Sequence, residues 1–432
     1  VNSFVLSKWA LLFGLAAVFL LPSVTARAED SRLSLPQILD YSLQHNGDLK
    51  SFREEKGIRD AAKVRAGLLP NPTLDVEART GALTGSNDEQ SLSVGISQEF
   101  SLTGKREKRL TIAERELDMY RWQLADRERV IRDEVKIAFY DAILAHSRTD
   151  LADRVIDLNR QLLHVTSERL AAGDIPELEM NLVKVELARS EGSRIDAAKT
   201  LHQSQAKLLT FMGLPIGDSL ALAGNLKAEV PMTRSLNDLK HIARNLRPDM
   251  KALEAEKGRG EADIVLAEAE AMPDLTAGLI YSHERSTDAT GTGEEDVRDN
   301  LLGIRLSLPI PVFNRNQAGV QEAKAKKSSI ESRLLAAARN IEREVETTYA
   351  SYLNSEKVLS LYKATIIPQL EENLKLTQEA YRLGEVGILA VIQEQKNYFE
   401  VSAGYLTALH DRQLAIVKLE SATAADLIGG VQ

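Results

Sequence analysis

The chain has 432 residues, 54 Lys and Arg against 63 Asp and Glu, a net charge of −9, 5% aromatic residues and no cysteine. An acidic balance with few aromatics and no basic stripe excludes a nucleic-acid partner. The missing cysteine excludes a disulfide framework.

At the start of the chain, Lys8 precedes an apolar run over residues 9–21, and Ala26-Arg27-Ala28 follows before Glu29. This pattern reads as a secretory signal over residues 1–28, too short to span a bilayer, and predicts an exported protein. No later run is apolar and long enough for a membrane helix, so any membrane crossing has to use β-strands.

Residues 34–57 read SLPQILDYSLQHNGDLKSFREEKG, and residues 235–258 read SLNDLKHIARNLRPDMKALEAEKG. The two align without a gap 201 positions apart, and the same spacing holds at Pro72 and Pro273 and at Leu74 and Leu275. A period this long reports a duplicated half-molecule, not a solenoid of short repeats. The predicted organisation is a first repeat over 29–212, a linker over 213–235, a second repeat over 236–420 and a tail over 421–432.

Each repeat holds two short alternating segments. In the first, Leu74, Val76 and Ala78 alternate with Asp75, Glu77 and Arg79, and Leu92, Val94 and Ile96 with Ser93, Gly95 and Ser97. In the second, Leu275, Ala277, Leu279 and Tyr281 alternate with Thr276, Gly278 and Ile280, and Leu302, Ile304, Leu306 and Leu308 with Gly303, Arg305 and Ser307. Period-two patterning of this length fits transmembrane strands, and predicts β-hairpins at 73–99 and 274–308 around polar loops at 81–90 and 283–300. Four strands cannot close a membrane barrel, which needs about eight, so the chain has to share a barrel with copies of itself.

Between Gly104 and Gly173 there is neither Gly nor Pro. Apolar residues recur there at coiled-coil spacing, through Leu110, Leu117, Leu124, Ile131, Ala138 and Ala145, then Leu151, Val155, Leu158, Leu162 and Val165. The second half shows the same spacing from Ile330 through Ile341, an extra four-residue step to Val345, and then Thr348, Tyr352, Ser355, Leu359, Tyr362 and Ile366. The extra step predicts a local unwinding of the supercoil. Each long helix is followed by a Gly turn, at Gly173 and Gly384, after which helical spacing resumes, so each repeat contains an antiparallel helical hairpin with an exposed tip.

Together these features resemble the TolC-type outer-membrane efflux channels over almost the whole mature chain. The segments GLLPNPTL (67–74), QEFSLTGKRE (98–107), LSLPIPVFNRNQ (306–317) and YRLGEVGILAV (381–391) are similar to the cobalt–zinc–cadmium efflux branch. The resemblance implies a mainly α fold with transmembrane β-structure: a homotrimer whose four strands per protomer complete a 12-stranded barrel in outer-membrane lipid, above a coiled-coil helical barrel in the periplasm. It places the 213–235 linker and the tail after Glu420 in an equatorial region. It further implies passive conduction of substrates, heavy-metal cations among them, from a periplasmic adaptor docked to a proton-driven inner-membrane pump. The alternative reading is a periplasmic coiled-coil adaptor or structural tether, which needs no membrane-length strands.

No catalytic constellation is present, and no cofactor or enzymatic activity is expected. The seven histidines, His45, His146, His164, His202, His241, His283 and His410, are scattered, and no metal site is assigned. The acidic segment with Asp288, Glu294, Glu295, Asp296 and Asp299 reads as a solvated charge run. Glu179 falls where the family places an acidic residue at its periplasmic aperture. The corresponding second-half positions are Ala390 and Gln393, which supply no second acidic ring. Adaptor contact is expected at the hairpin tips, through Arg169, Leu170, Gly173, Asp174 and Ile175 in one and Arg382, Leu383, Gly384, Glu385 and Val386 in the other.

Overall fold

The computed structural model describes residues 32–83, 85, 89–217, 220–227, 232–290 and 293–427, with side chains at 287–290 and 293–296 excepted. The secretory signal expected over 1–28 lies outside the described residues. Strand β1 (Leu33–Ser34) leads into α1 (Leu35–His45) and α2 (Gly47–Gly67). Ser34 begins α1, its backbone N–H and Oγ both donating to Gln37 Oε1 at 2.9 Å. Asn46 separates the two helices: its Oδ1 accepts from the Leu49 N–H at 3.1 Å, satisfying one of the unpaired donors at the start of α2.

Strands β2 (Thr73–Thr80) and β3 (Gln90–Phe100) follow, and then α3 (Lys105–Ala171), 67 residues of uninterrupted helix. At about 1.5 Å per residue it is roughly 100 Å long. Its predicted seam faces inward: Leu117, Ile131, Ala138, Ala145, Leu151, Val155 and Leu162 are buried. The helix stops at Gly173, whose φ of +78° suits a residue without Cβ. The Gly173 and Asp174 N–H groups close back on the Leu170 and Arg169 carbonyls. Helix α4 (Glu177–Met212) returns antiparallel and ends at Gly213, followed by β4 (Leu222–Ala223).

The second half begins with α5 (Leu236–Leu246) and α6 (Pro248–Ala269), joined at Arg247. The residue before Pro248 is held extended (φ −61°, ψ 120°), which breaks the helix where Asn46 breaks it in the first half. Strands β5 (Leu275–Thr290) and β6 (Gly293–Ser307) follow, then α7 (Gln317–Leu361), a π-turn (Tyr362–Ile366), α8 (Ile367–Arg382) and α9 (Ile388–Thr423). The π-turn lies just before Pro368. Proline has no N–H and its ring clashes with the carbonyl four residues back, so a widened turn at this point absorbs both defects. It also rotates the seam: Ile366, expected on the packed face, is exposed, and burial resumes at Leu370, Leu374 and Tyr381.

Two expectations change. The polar loop read at 283–300 is largely strand, because β5 and β6 stay paired from Thr276 with Ser307 out to Thr290 with Gly293. An exposed ribbon tolerates polar residues on both faces and so loses the alternation by which a strand is recognised. Helix α9 also runs three residues into the segment read as a tail, with Leu419 and Ala422 buried against Leu239, Ala243 and Met250.

The four long strands form one antiparallel sheet in the order β2-β3-β5-β6, while β1 and β4 make a two-residue parallel pair. The largest core lies at the waist, where Ile38, Leu49, Val135, Phe139, Leu208 and Leu409 bring α1, α2, α3, α4 and α9 together. A separate core at the far end joins the two helical hairpins through Leu162, Val183, Tyr381, Ile388 and Val391.

Candidate functional site: the amphipathic sheet and the helical tips

The register across the sheet aligns the alternating residues of all four strands. One face carries the rows Leu74, Ile96, Leu279, Ile304 and Val76, Val94, Tyr281, Leu302. Each of these eight side chains is exposed. The other face carries Asp75, Gly95, Ile280, Gly303 and Glu77, Ser93, Ser282, Leu301, with Thr73, Ser97, Gly278, Arg305 below them. An exposed apolar patch of this extent is unsuited to water, and its polar reverse is unsuited to a protein core. A sheet with lipid on one side and an aqueous lumen on the other satisfies both.

The apolar band ends at the row Ala78, Leu92, His283, Asn300, where Tyr281 Oη donates to Asn300 Oδ1 at 2.7 Å and His283 Nδ1 lies 2.8 Å from the same oxygen. A tyrosine with its ring among apolar neighbours and its hydroxyl among polar ones fits a membrane boundary. Above this row the four strands stay paired for two more rows, with Glu284, Arg298 and Asp299 exposed, and from Ser286 and Val297 outward β5 and β6 continue as a two-stranded ribbon. Among the described residues, strands β2 and β6 have no partner on their outer edges.

At the opposite end, Tyr381 is 1% exposed and ties the two helical hairpins together. Its hydroxyl donates to Glu179 Oε2 at 3.3 Å and lies 3.4 Å from Thr166 Oγ1. The Arg169 guanidinium donates to the Tyr381 carbonyl at 2.8 Å and sits 4.8 Å from the ring centroid. Burial pushes the Tyr381 hydroxyl above its ordinary pKa, keeping it a neutral donor.

The predicted tip residues therefore divide. Glu179 is half-buried and engaged by Tyr381, Arg169 is spent on the strut between hairpins, Ile175 is buried, and Leu170 and Val386 are half-buried. Gly173, Asp174, Arg382, Leu383, Gly384 and Glu385 are exposed, with Arg382 paired to Glu379 at 2.5 Å. Ala390 and Gln393 are exposed, Gln393 bonding to Asn397. Sequence reasoning missed Tyr381 and Thr166, because nothing in their local spacing says that α8 crosses α3 at this level.

Between tip and waist a cavity of about 340 Å³ separates α3, α4 and α9. Asn159 and Gln395 line it. Both are buried, and Asn159 Oδ1 and both Gln395 amide atoms have no hydrogen-bond partner. At the waist, Arg247 donates to Asp249 Oδ2 at 2.7 Å, Glu344 Oε2 at 2.5 Å and the Ala422 carbonyl at 3.2 Å, tying the α5–α6 break to α7 and α9. Nearby, Lys136 pairs with Glu420 at 2.7 Å, and burial pushes the Asp133 carboxyl up to about 6 against the pull of Ser421, Arg129 and Lys136. Among the described residues no group of three His, Cys, Asp or Glu is placed to hold a metal ion.

A one-sided membrane sheet carried on helices of this length defines an outer-membrane export conduit that extends into the periplasm. The chain belongs to the outer membrane efflux protein family, whose profile matches residues 38–214 and 239–425, so the duplication seen in the sequence is the family's own division. It is 24% identical over 410 residues to the cobalt-zinc-cadmium resistance protein CzcC of Cupriavidus metallidurans, covering 92% of this chain and 94% of that one. It is likewise 24% identical over 286 residues to the nickel-cobalt-cadmium resistance protein NccC of Alcaligenes xylosoxydans, covering 64% of this chain and 60% of the other. Among solved structures, CusC superposes with a TM-score of 0.71 at 17% identity over 91% of this chain and 92% of its own. VceC from Vibrio cholerae gives 0.69 at 14% identity over 91% and 96%. The protein is an outer-membrane efflux channel, a transport protein and not an enzyme.

Proposed function

We propose that three copies of this chain form the outer-membrane conduit of a tripartite assembly that exports heavy-metal cations. The cross-strand register carries this reading: a sheet apolar on one face and polar on the other, with two open edges, is stable in a membrane only when copies close it into a barrel. Three protomers of four strands give twelve. The metal-resistance names of two relatives that align with this chain support cations as the cargo. A passive conduit needs no metal site of its own, and the pump and its periplasmic adaptor would select the substrate. The exposed tip residues Asp174, Leu383 and Glu385 are the natural adaptor surface.

Glu179 is the acidic group we assign to the periplasmic aperture. Three such carboxylates around one axis would favour cations in the passage. The test is extraction in mild detergent, measurement of the oligomeric mass, and single-channel recording in a planar bilayer. A conducting trimer is expected, with Glu179→Gln lowering cation-over-anion selectivity about two- to threefold by removing charge at the constriction. A water-soluble monomer would sink the channel reading, and unchanged selectivity would remove Glu179 from the aperture. Cargo is read separately: expressing the chain with a cobalt–zinc–cadmium pump and adaptor in a strain lacking its own channel should restore growth on those metals.

A further inference from the structure

The four connections between helices and strands lie at one end of the sheet and differ sharply in chemistry. The inner two meet each other inside the protomer, since β3 ends beside the start of β5 with Phe100 opposite Leu275. Their junction is polar: Thr103 Oγ1 donates to the Ala269 carbonyl at 3.0 Å, and the Lys105 ammonium pairs with Asp274 at 2.8 Å, both side chains largely buried. The outer two, residues 68–72 before β2 and 308–316 after β6, flank the open edges.

The 201-residue repeat places Leu68, Leu69 and Thr73 where the inner junction has Ala269, Glu270 and Asp274. The first residue of α7, Gln317, stands where α3 begins with Lys105. The buried ion pair therefore has no counterpart at the outer ends. The connection after β6 is also longer, nine residues against four after β3, and its first six residues, Leu308 to Phe313, are apolar, while Asn316 Nδ2 at its end donates to the Ala267 carbonyl at 2.8 Å within the protomer. Phe313 is 93% exposed, Ile310 81% and Leu69 70%, with Leu68 and Val312 also exposed.

We infer that these two outer connections form an apolar clasp between neighbouring protomers, Ile310, Val312 and Phe313 of one copy packing on Leu68 and Leu69 of the next. The inference rests on the shared barrel proposed above. It follows from the duplication: β6 runs toward this end and β2 starts from it, so closing β6 onto a second copy's β2 repeats the β3–β5 pairing, and the connections meet as the inner pair does. The polar junction inside the protomer is replaced between protomers by an apolar one that leaves no buried charge unpaired while a monomer waits for its neighbours.

The absence of cysteine makes the test clean. In one protomer β2 and β6 are three strand spacings apart, about 14 Å, beyond the roughly 7 Å between Cα atoms that a disulfide can bridge. The double variant Leu69→Cys with Phe313→Cys, expressed as the full chain and oxidised with copper-phenanthroline in isolated membranes, is expected to shift from one-chain to two- and three-chain bands on a non-reducing denaturing gel. Neither single variant should cross-link, because the contact is head-to-tail. A double variant that is trimeric by mass in detergent yet runs as a single chain on the gel overturns the clasp and leaves the trimer standing. A wild-type chain that is monomeric in detergent overturns both. If the double variant fails to assemble, Leu68→Cys with Val312→Cys is read by the same criteria. A fluorophore attached at position 313 and quenched by brominated phospholipid would make lipid the occupant and overturn the clasp.

Discussion

At the scale of single residues, the most constrained positions are those where tertiary neighbours override local preference. Gly213 ends α4 with φ at +69°, and a Cβ there would stand 2.8 Å from the His45 carbonyl oxygen. Gly213→Ala combines a left-handed backbone with a clash against main chain, and should cost at least about 2 kcal/mol, read as a lower midpoint in thermal unfolding. Asp133 is constrained differently. Its folded carboxyl keeps a proton up to about pH 6, whereas the unfolded one loses it near the ordinary 3.8, so the folded state binds more protons between those values. Stability contributed by this group is therefore greatest in acid, falls as pH rises from about 4 to 6, and is level above that, a swing of at most about 3 kcal/mol. Asp133→Asn should flatten that part of the curve when thermal unfolding is followed at stepped pH.

At the scale of elements, the seams of α3 and α9 bury polar groups at several levels, and at one of them the amides are left unpaired. Asn159 and Gln395 occupy core positions beside a cavity with three amide atoms unpaired. A buried amide without partners costs about 1–3 kcal/mol, and a leucine of similar volume does not. Asn159→Leu with Gln395→Leu should therefore raise the unfolding midpoint, and an unchanged or lower midpoint would mean that water or a neighbouring protomer satisfies these atoms. The helices themselves were readable because Gly and Pro punctuate them and apolar residues mark their packed face. The π-turn before Pro368 was not, since a proline inside a helical pattern can end, kink or widen the helix, and the packing of α8 on α9 decides among these. The outer part of the β5–β6 ribbon escaped reading because it lies beyond the apolar band, where neither face imposes alternation.

At the scale of the whole molecule, the sheet divides solvent from lipid, and substitutions should divide with it. Val94→Arg places a charge on the apolar face and should cost about 2–4 kcal/mol near the bilayer midplane, with loss of outer-membrane insertion on fractionation. Ser93→Arg, one residue away on the opposite face, should insert normally and change conductance instead. Equal defects in both variants would contradict the two-faced sheet. The site was partly legible at this scale: alternation in four symmetric segments revealed the strands, and their number underlies the shared barrel proposed above. The Tyr381 link from α8 to Glu179 and Thr166 joins residues more than 200 positions apart in sequence, and no local pattern announces it.

The sequence alone determined the duplication, the length of α3, the two Gly turns and the existence of four amphipathic strands. Each follows from short-range rules: helical or strand periodicity, the freedom of glycine, and a repeat that any alignment of the chain with itself exposes. The tertiary structure alone decided the strand order, the row-by-row register that makes one face apolar, and the crossing of the two hairpins at Tyr381. It also showed that Arg169 and Ile175 serve the tip's interior while Leu383 and Glu385 face outward. These depend on which surfaces meet, and a one-dimensional pattern says which side of an element is apolar but not what that side will be packed against.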